Sequence, residues 1–400
     1  MSPNTEQNNP GLNINSTRTI AATIYISIVG ACIFIVQPGF IQGLVQLLGF
    51  SDQEAGYTAS AEVWGIALTT ILMALGGHKL SWIRVLKWSI AIFVLGNLLS
   101  LLDSSFAVFS LARFLAGVGA GGLILLGFTI MGITALPDRN FAFVIMGVLT
   151  YGAIGLWVMP TAFELVGMTG IIIFFALFAA SAWFCLPYLP DSGEEHVQVE
   201  QDAVDLSTSL RLLAIFAYFI YNVAQGVIWA YLFLIGMNGG VGEQEVANGL
   251  MVSQFLGIAG AFLAALAGRR FGRIIPLAIG VIGGGIVLAY LYGTFTAFVY
   301  AVTVCIYNFA WNFSMPYLLA AMASFDRLGR VVVHAVAAQM LGLAVGPAFA
   351  ASLLSEDDFS RVITAGIVLF IVSYILILIP LVAHKHKISE SPTLEAPQQS

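Results

Sequence analysis

Three residues that can carry or exchange a charge lie inside long apolar stretches of this 400-residue chain: Glu62, Arg113 and His334. A charge in hydrocarbon costs about 2.5–3.5 kcal/mol on insertion scales, so each needs a reason to be there. If its run is helical, at about 1.5 Å per residue, Glu62 lies roughly 16 Å beyond the polar Ser51, near the midplane of a bilayer. Arg113 falls about two turns into its own run, and His334 about one turn into another. A lone buried carboxyl favours its neutral form, and a neighbouring cation favours the charged form. A Glu62 that pairs with Arg113 in one conformation and not in another would therefore carry a proton. Two other readings stand beside this one: a permanent Glu62–Arg113 salt bridge that only fixes packing, and a Glu62 that contacts a solute directly. His334 reads either as a hydrogen-bonded interfacial histidine or as a proton relay.

Two further apolar runs carry polar and aromatic side chains at helical spacing. One holds Tyr221, Asn222, Gln225 and Trp229; the other holds Tyr307, Asn308, Trp311 and Asn312. Residues 222, 225 and 229 share one helical face, as do 308, 311 and 312 with 315. Such amides either glue helices together or contact a solute. The first apolar run is interrupted by Gln37, Pro38 and Gln42; Pro38 has no N–H, so it frees a carbonyl and bends a helix. This set of donors, acceptors and rings suits an organic solute of modest size, aromatic or amphipathic. It offers too few fixed positive charges for a phosphate ester.

Other chemistries lack their residues. No apolar run holds a His-x-x-x-His, a paired Asp or a Gly-x-Ser-x-Gly constellation, so an enzyme is not expected. Cys32, Cys185 and Cys305 are far apart and form no metal-ligand or disulfide spacing, so no metal or cofactor is expected. A phosphate-binding loop of the Gly-x-x-x-x-Gly-Lys type is missing, which leaves an ion gradient as the energy source. No selectivity filter of a channel is visible. Lys and Arg form no basic tract, which excludes a nucleic-acid partner.

The composition identifies the elements that must position these groups. Hydrophobic residues make up 59% of the chain and charged residues 9%, against roughly 45–50% and about 25% in soluble domains. So few charges do not cover a soluble surface of this size. At about 20 residues per span, twelve apolar segments are predicted: 19–47, 53–76, 84–101, 107–134, 140–163, 168–187, 210–236, 244–267, 274–292, 296–322, 331–353 and 362–383. Ser51 with Glu54 makes a capping box ahead of the second. The fold class is therefore an all-α membrane protein, with a disordered tail at 1–18, helical units at 19–187 and 210–383, an acidic linker at 188–209 and a second tail at 384–400. With the N-terminus in the cytoplasm, that side receives Arg18, Lys79, Arg84, Lys87, Arg139, Arg211, Arg269, Arg270, Arg273, Arg327, Arg330, Lys385 and Lys387. The far side receives only Arg361. By the positive-inside rule both termini are cytoplasmic.

Six plus six spans around a cytoplasmic linker resemble the major facilitator superfamily of secondary transporters. Arg113-Phe-Leu-Ala-Gly117-Val-Gly119-Ala-Gly121-Gly122 is similar to its Arg-x-x-x-Gly-x-Gly signature, and Gly268-Arg269-Arg270-Phe271-Gly272-Arg273 to its short basic loop after the eighth span. Asp326-Arg327-Leu-Gly329-Arg330 is a related loop, whereas the one after the second span, Gly76 to Arg84, lacks the acidic residue and the Gly-Arg pair of the pattern. The resemblance implies two six-helix bundles, with the second and fourth spans in one of them, so that Glu62 and Arg113 can meet. It also implies that the seventh and tenth spans line a central cavity. Proton-coupled movement of a small organic solute by alternating access is the expected function. A transporter-like sensor or an uncoupled uniporter is the alternative. The expected partners are the solute, a proton and the lipid bilayer. The chain is expected to act as a monomer in the cell membrane, the inner one in a Gram-negative bacterium.

Overall fold

The computed structural model describes residues 13–76, 80–193, 202–268, 270–328, 330–354 and 358–390. Residues 1–12 and 391–400 of the two tails, the linker's Glu194, Glu195 and Glu200, and Lys79 and Arg269 lie outside the described residues.

Twelve helical rods follow one another among the described residues. They are α1, broken into α1a (Thr17–Ile35) and α1b (Gln37–Leu48), then α2 (Asp52–Gly76), α3 (Trp82–Leu99) and α4 (Phe106–Gly132). The stretch Pro137–Ser181 turns sharply at Gly167 (φ 62°, ψ −174°), a backbone state only glycine adopts readily, and so forms α5 (137–166) and α6 (168–181). The second half holds α7 (Thr208–Asn238), α8 (Glu243–Ala267), α9 (Ile274–Leu291), α10 (Ala297–Ser324), α11 (Arg330–Leu353) and α12 (Ser360–Glu390). Nine helices among the described residues are long and apolar enough to cross a membrane, one of them the continuous stretch that carries both α5 and α6. The apolar composition supplies the rods, and polar residues punctuate them. Ser16, Ser81, Ser207 and Thr296 each accept the N–H three residues on and so cap α1a, α3, α7 and α10. The predicted Ser51–Glu54 box forms, with Ser51 N–H on Glu54 Oε2 at 3.0 Å.

The rods pack as two bundles. In the first, α4 is the hub for α1a, α2 and α3; in the second, α8 packs on α10, and α11 and α12 pack on α7. The bundles meet through α2 on α11, α5 on α8 and α1b on α7. α2 and α4 approach so closely that a Cβ on Gly117 would stand 1.9 Å from the Glu62 carbonyl oxygen, so this crossing admits only glycine.

The linker is pinned in its described parts. Val204 and Leu206 donate their backbone N–H groups to Ser324 and Phe325, and Arg273 grips Asp202 with two hydrogen bonds at 3.1 and 3.2 Å. Asp191 bonds the Ser81 hydroxyl and the Ile83 N–H at the start of α3. Helix α12 runs to Glu390, beyond the end expected at 383.

Candidate functional site

Glu62 and Arg113 are both buried, at 4% and 0% exposure, inside the first bundle. They lie within electrostatic reach of each other but form no salt bridge in this conformation. Among the described residues Glu62 has no hydrogen bond and no ion pair within 4.0 Å. Arg113 turns instead to the C-terminal end of α3. Its Nε and Nη2 donate to Ser100 Oγ at 3.0 and 2.8 Å, and Nη2 also donates to the Gly96 carbonyl and Asn97 Oδ1, both at 3.1 Å. The negative end of a helix dipole and its free carbonyls suit a cation. Phe40 and Phe109 sandwich the guanidinium at 5.8 and 5.7 Å. Only Nη1 is without a hydrogen-bond partner.

The break in α1 follows from Pro38. An uninterrupted helix would bond the N–H of residue 38 to the carbonyl of Phe34, and proline has none to give. Val36 accordingly leaves helical geometry (φ −104°, ψ 13°). The indole of Trp229, from α7 of the other bundle, donates to that Phe34 carbonyl at 3.1 Å. Trp229 is 1% exposed and stands edge-on to Trp311 of α10, with ring centroids 5.8 Å apart at 70°. Trp311 also packs with Phe34 and Met340 on Val63, Ala67, Leu343 and Ala344, a small cluster shared by both bundles.

The two polar stripes meet in part. The Tyr307 hydroxyl donates to Gln225 Oε1, and Tyr307 lies 6.1 Å from Trp311. Asn308 Nδ2 donates to Ser253 of α8 at 3.1 Å, and Asn312 Nδ2 to Asn308 Oδ1 at 2.8 Å, so these two amides bind the α8–α10 seam. Asn222 Nδ2 bonds the Tyr218 carbonyl at 2.8 Å, while its Oδ1 and the Oε1 of Gln37 are buried without partners. His334 stands apart from this group. It is exposed, with Nδ1 2.6 Å from the Arg330 carbonyl. Reasoning from sequence missed Asn97 and Ser100, which hold Arg113, and Gln254, buried on α8. The polar pair Ser253–Gln254 in an apolar run was the visible signal for the last.

A model of the Major Facilitator Superfamily matches residues 22–347. The chain belongs to that superfamily. It is therefore a multi-pass membrane transporter and not an enzyme. No curated relative matches its sequence. Among solved structures it is similar to a POT family transporter crystallised with 5-aminolevulinic acid, at TM-score 0.72 and 13% identity over 95% of this chain and 99% of that one. A second POT family transporter, in complex with a thioalcohol conjugated peptide, gives TM-score 0.71 and 14% identity over 93% and 97%. At such identities the likeness concerns the fold alone.

Several hydrogen bonds among the described residues tie the two bundles of this superfamily fold together directly. Trp229–Phe34 and Ser60 Oγ to the Ala344 carbonyl (2.6 Å) lie at mid-height. Tyr231 Oη to the Asp52 carbonyl (2.8 Å), Gln53 Nε2 to the Leu354 carbonyl (3.1 Å) and Gln244 Nε2 to the Trp157 carbonyl (3.3 Å) lie toward the end away from the chain termini. Among the described residues, α4 on α10 is not one of the closely packed helix pairs that join the bundles.

Proposed function

We propose that this transporter carries a small organic solute by alternating access between its bundles and couples the movement to a proton on Glu62. One observation carries the reading: a carboxyl buried near mid-height has no hydrogen bond and no ion pair among the described residues. A carboxylate in such a place, with Arg113 within electrostatic reach but not bonded to it, is costly, and a proton or a charged solute relieves that cost. Exposing the group to one side and then the other turns that relief into coupling. The solute lies between α1, α7 and α10, against Trp229, Trp311 and Tyr307, where the break in α1 and the unpartnered amides of Gln37 and Asn222 provide polar contacts. Two solved neighbours hold 5-aminolevulinic acid and a conjugated peptide, which supports a small organic solute. Hydrogen bonds gathered at mid-height and toward the far end support a conformation with access from the terminal side, the cytoplasm if the basic loops face inward. The test is solute uptake by the purified protein in proteoliposomes with an imposed pH gradient. Uptake should follow the gradient and collapse with a protonophore; uptake indifferent to both would refute coupling.

A further inference from the structure

We infer that Gln254 of α8 forms a second polar subsite, which takes an uncharged donor–acceptor group such as a carboxamide or lactam. This inference rests on the reading of the central region as the solute site. Gln254 is fully buried, and neither its Oε1 nor its Nε2 has a hydrogen-bond partner among the described residues. A buried amide left unbonded is destabilising, and an apolar side chain of similar size at the same place is not. Native interiors hold few such groups, and each calls for a reason.

The position of the amide supplies the reason. A Cβ on Gly152 of α5 would lie 3.5 Å from Gln254 Cδ, 3.6 Å from its Oε1 and 2.7 Å from Ile35 Cγ1. Ile35 is the last residue of α1a, so the amide sits at the level of the helix break. Phe34, next to it, accepts the Trp229 indole, which puts the aromatic pair on the same turn. Gln37, just past the break, has its own Oε1 buried without a partner. The adjacent Ser253 already bonds Asn308, and a Cβ on Gly257 would stand 2.8 Å from Asn312 Nδ2, so α8 meets α10 with satisfied amides. Gln254 is the exception on that helix. An amide presents an acceptor beside two N–H donors and no net charge. Its complement is a group with the same neutral pattern, beside the break in α1.

The test uses Gln254→Leu with three ring compounds of similar size: benzamide, benzoate and benzylamine. Benzamide should raise the thermal midpoint of the wild-type protein more than the other two. Gln254→Leu should weaken benzamide binding by about tenfold or more, while its own midpoint stays equal to or above that of the wild type. Gln254→Met should lose the same binding. Absence of a benzamide shift in the wild type, an unchanged shift in Gln254→Leu, or a lowered midpoint of both apolar variants would overturn the subsite. Gradient-driven uptake measured in parallel separates the two readings. Uptake that needs Glu62 together with unchanged benzamide binding in Gln254→Leu removes the subsite alone. Lost benzamide binding together with uptake indifferent to Glu62→Gln removes the coupling and leaves the subsite.

Discussion

Replacing Trp229 with Phe removes one donor and keeps most of the ring against Trp311. The bond lost is the 3.1 Å contact from the indole to the Phe34 carbonyl, with Trp229 only 1% exposed. An unpaired buried acceptor costs about 1–3 kcal/mol. The Val36 N–H already points to the same carbonyl and recovers part of this, leaving on the order of 1–2 kcal/mol. The bond exists only while the bundles are closed at this level, so the variant shifts the conformational equilibrium by roughly 5–30-fold. Ala55, fully buried near the far end of α2, reports that shift. With Cys32, Cys185 and Cys305 replaced, an Ala55→Cys label site should react with a membrane-impermeant maleimide about 5–30-fold faster in Trp229→Phe. Pro38→Ala is the control, because it returns an N–H to the Phe34 carbonyl. In that background Trp229→Phe should be nearly silent. Unchanged labelling in well-folded Trp229→Phe, or effects of the two substitutions that simply add, would refute the argument.

Two further outcomes follow from the first bundle. Arg113→Gln should lose on the order of 3 kcal/mol of stability, read as thermal midpoint and folded yield, because charge-assisted bonds to Ser100, Asn97 and Gly96 disappear. Adding Glu62→Gln should not restore it; restoration would mean that the two are paired after all. Gly117→Ala, whose new methyl would press on the Glu62 carbonyl, should lower the thermal midpoint by the equivalent of about 1–3 kcal/mol. An unchanged midpoint would show that α2 and α4 separate freely.

Much of this architecture is legible in the residues themselves. Apolar runs divided by serine caps and short basic loops place the rods, and Pro38 announces the break in α1. The partner of that break is not legible, because Phe34 and Trp229 are far apart in the chain and the acceptor is a backbone group. Arg113 and Glu62 invite pairing as the two charges of one bundle. The competitor that holds Arg113 is a helix terminus with a serine and an asparagine, which carries no formal charge to notice. The stripes on α7 and α10 are visible as periodic polarity, yet periodicity does not tell an amide that glues α8 to α10, such as Asn308, from one left unbonded, such as Asn222. Gln254 escapes because one polar residue beside a serine in an apolar run has no period. Asp191 bonds Ser81 and Ile83 at the start of α3 more than a hundred positions earlier, a contact only the fold brings about.

The central claim concerns the proton on Glu62, and Glu62→Gln isolates it, since the amide keeps the shape and mimics the neutral acid. The decisive measurement compares gradient-driven uptake with solute exchange at equal pH on both sides, in the same proteoliposomes and at matched protein yield. The account predicts that Glu62→Gln folds and exchanges solute but does not accumulate it against a gradient. Undiminished gradient-driven accumulation by a well-folded Glu62→Gln protein would contradict it.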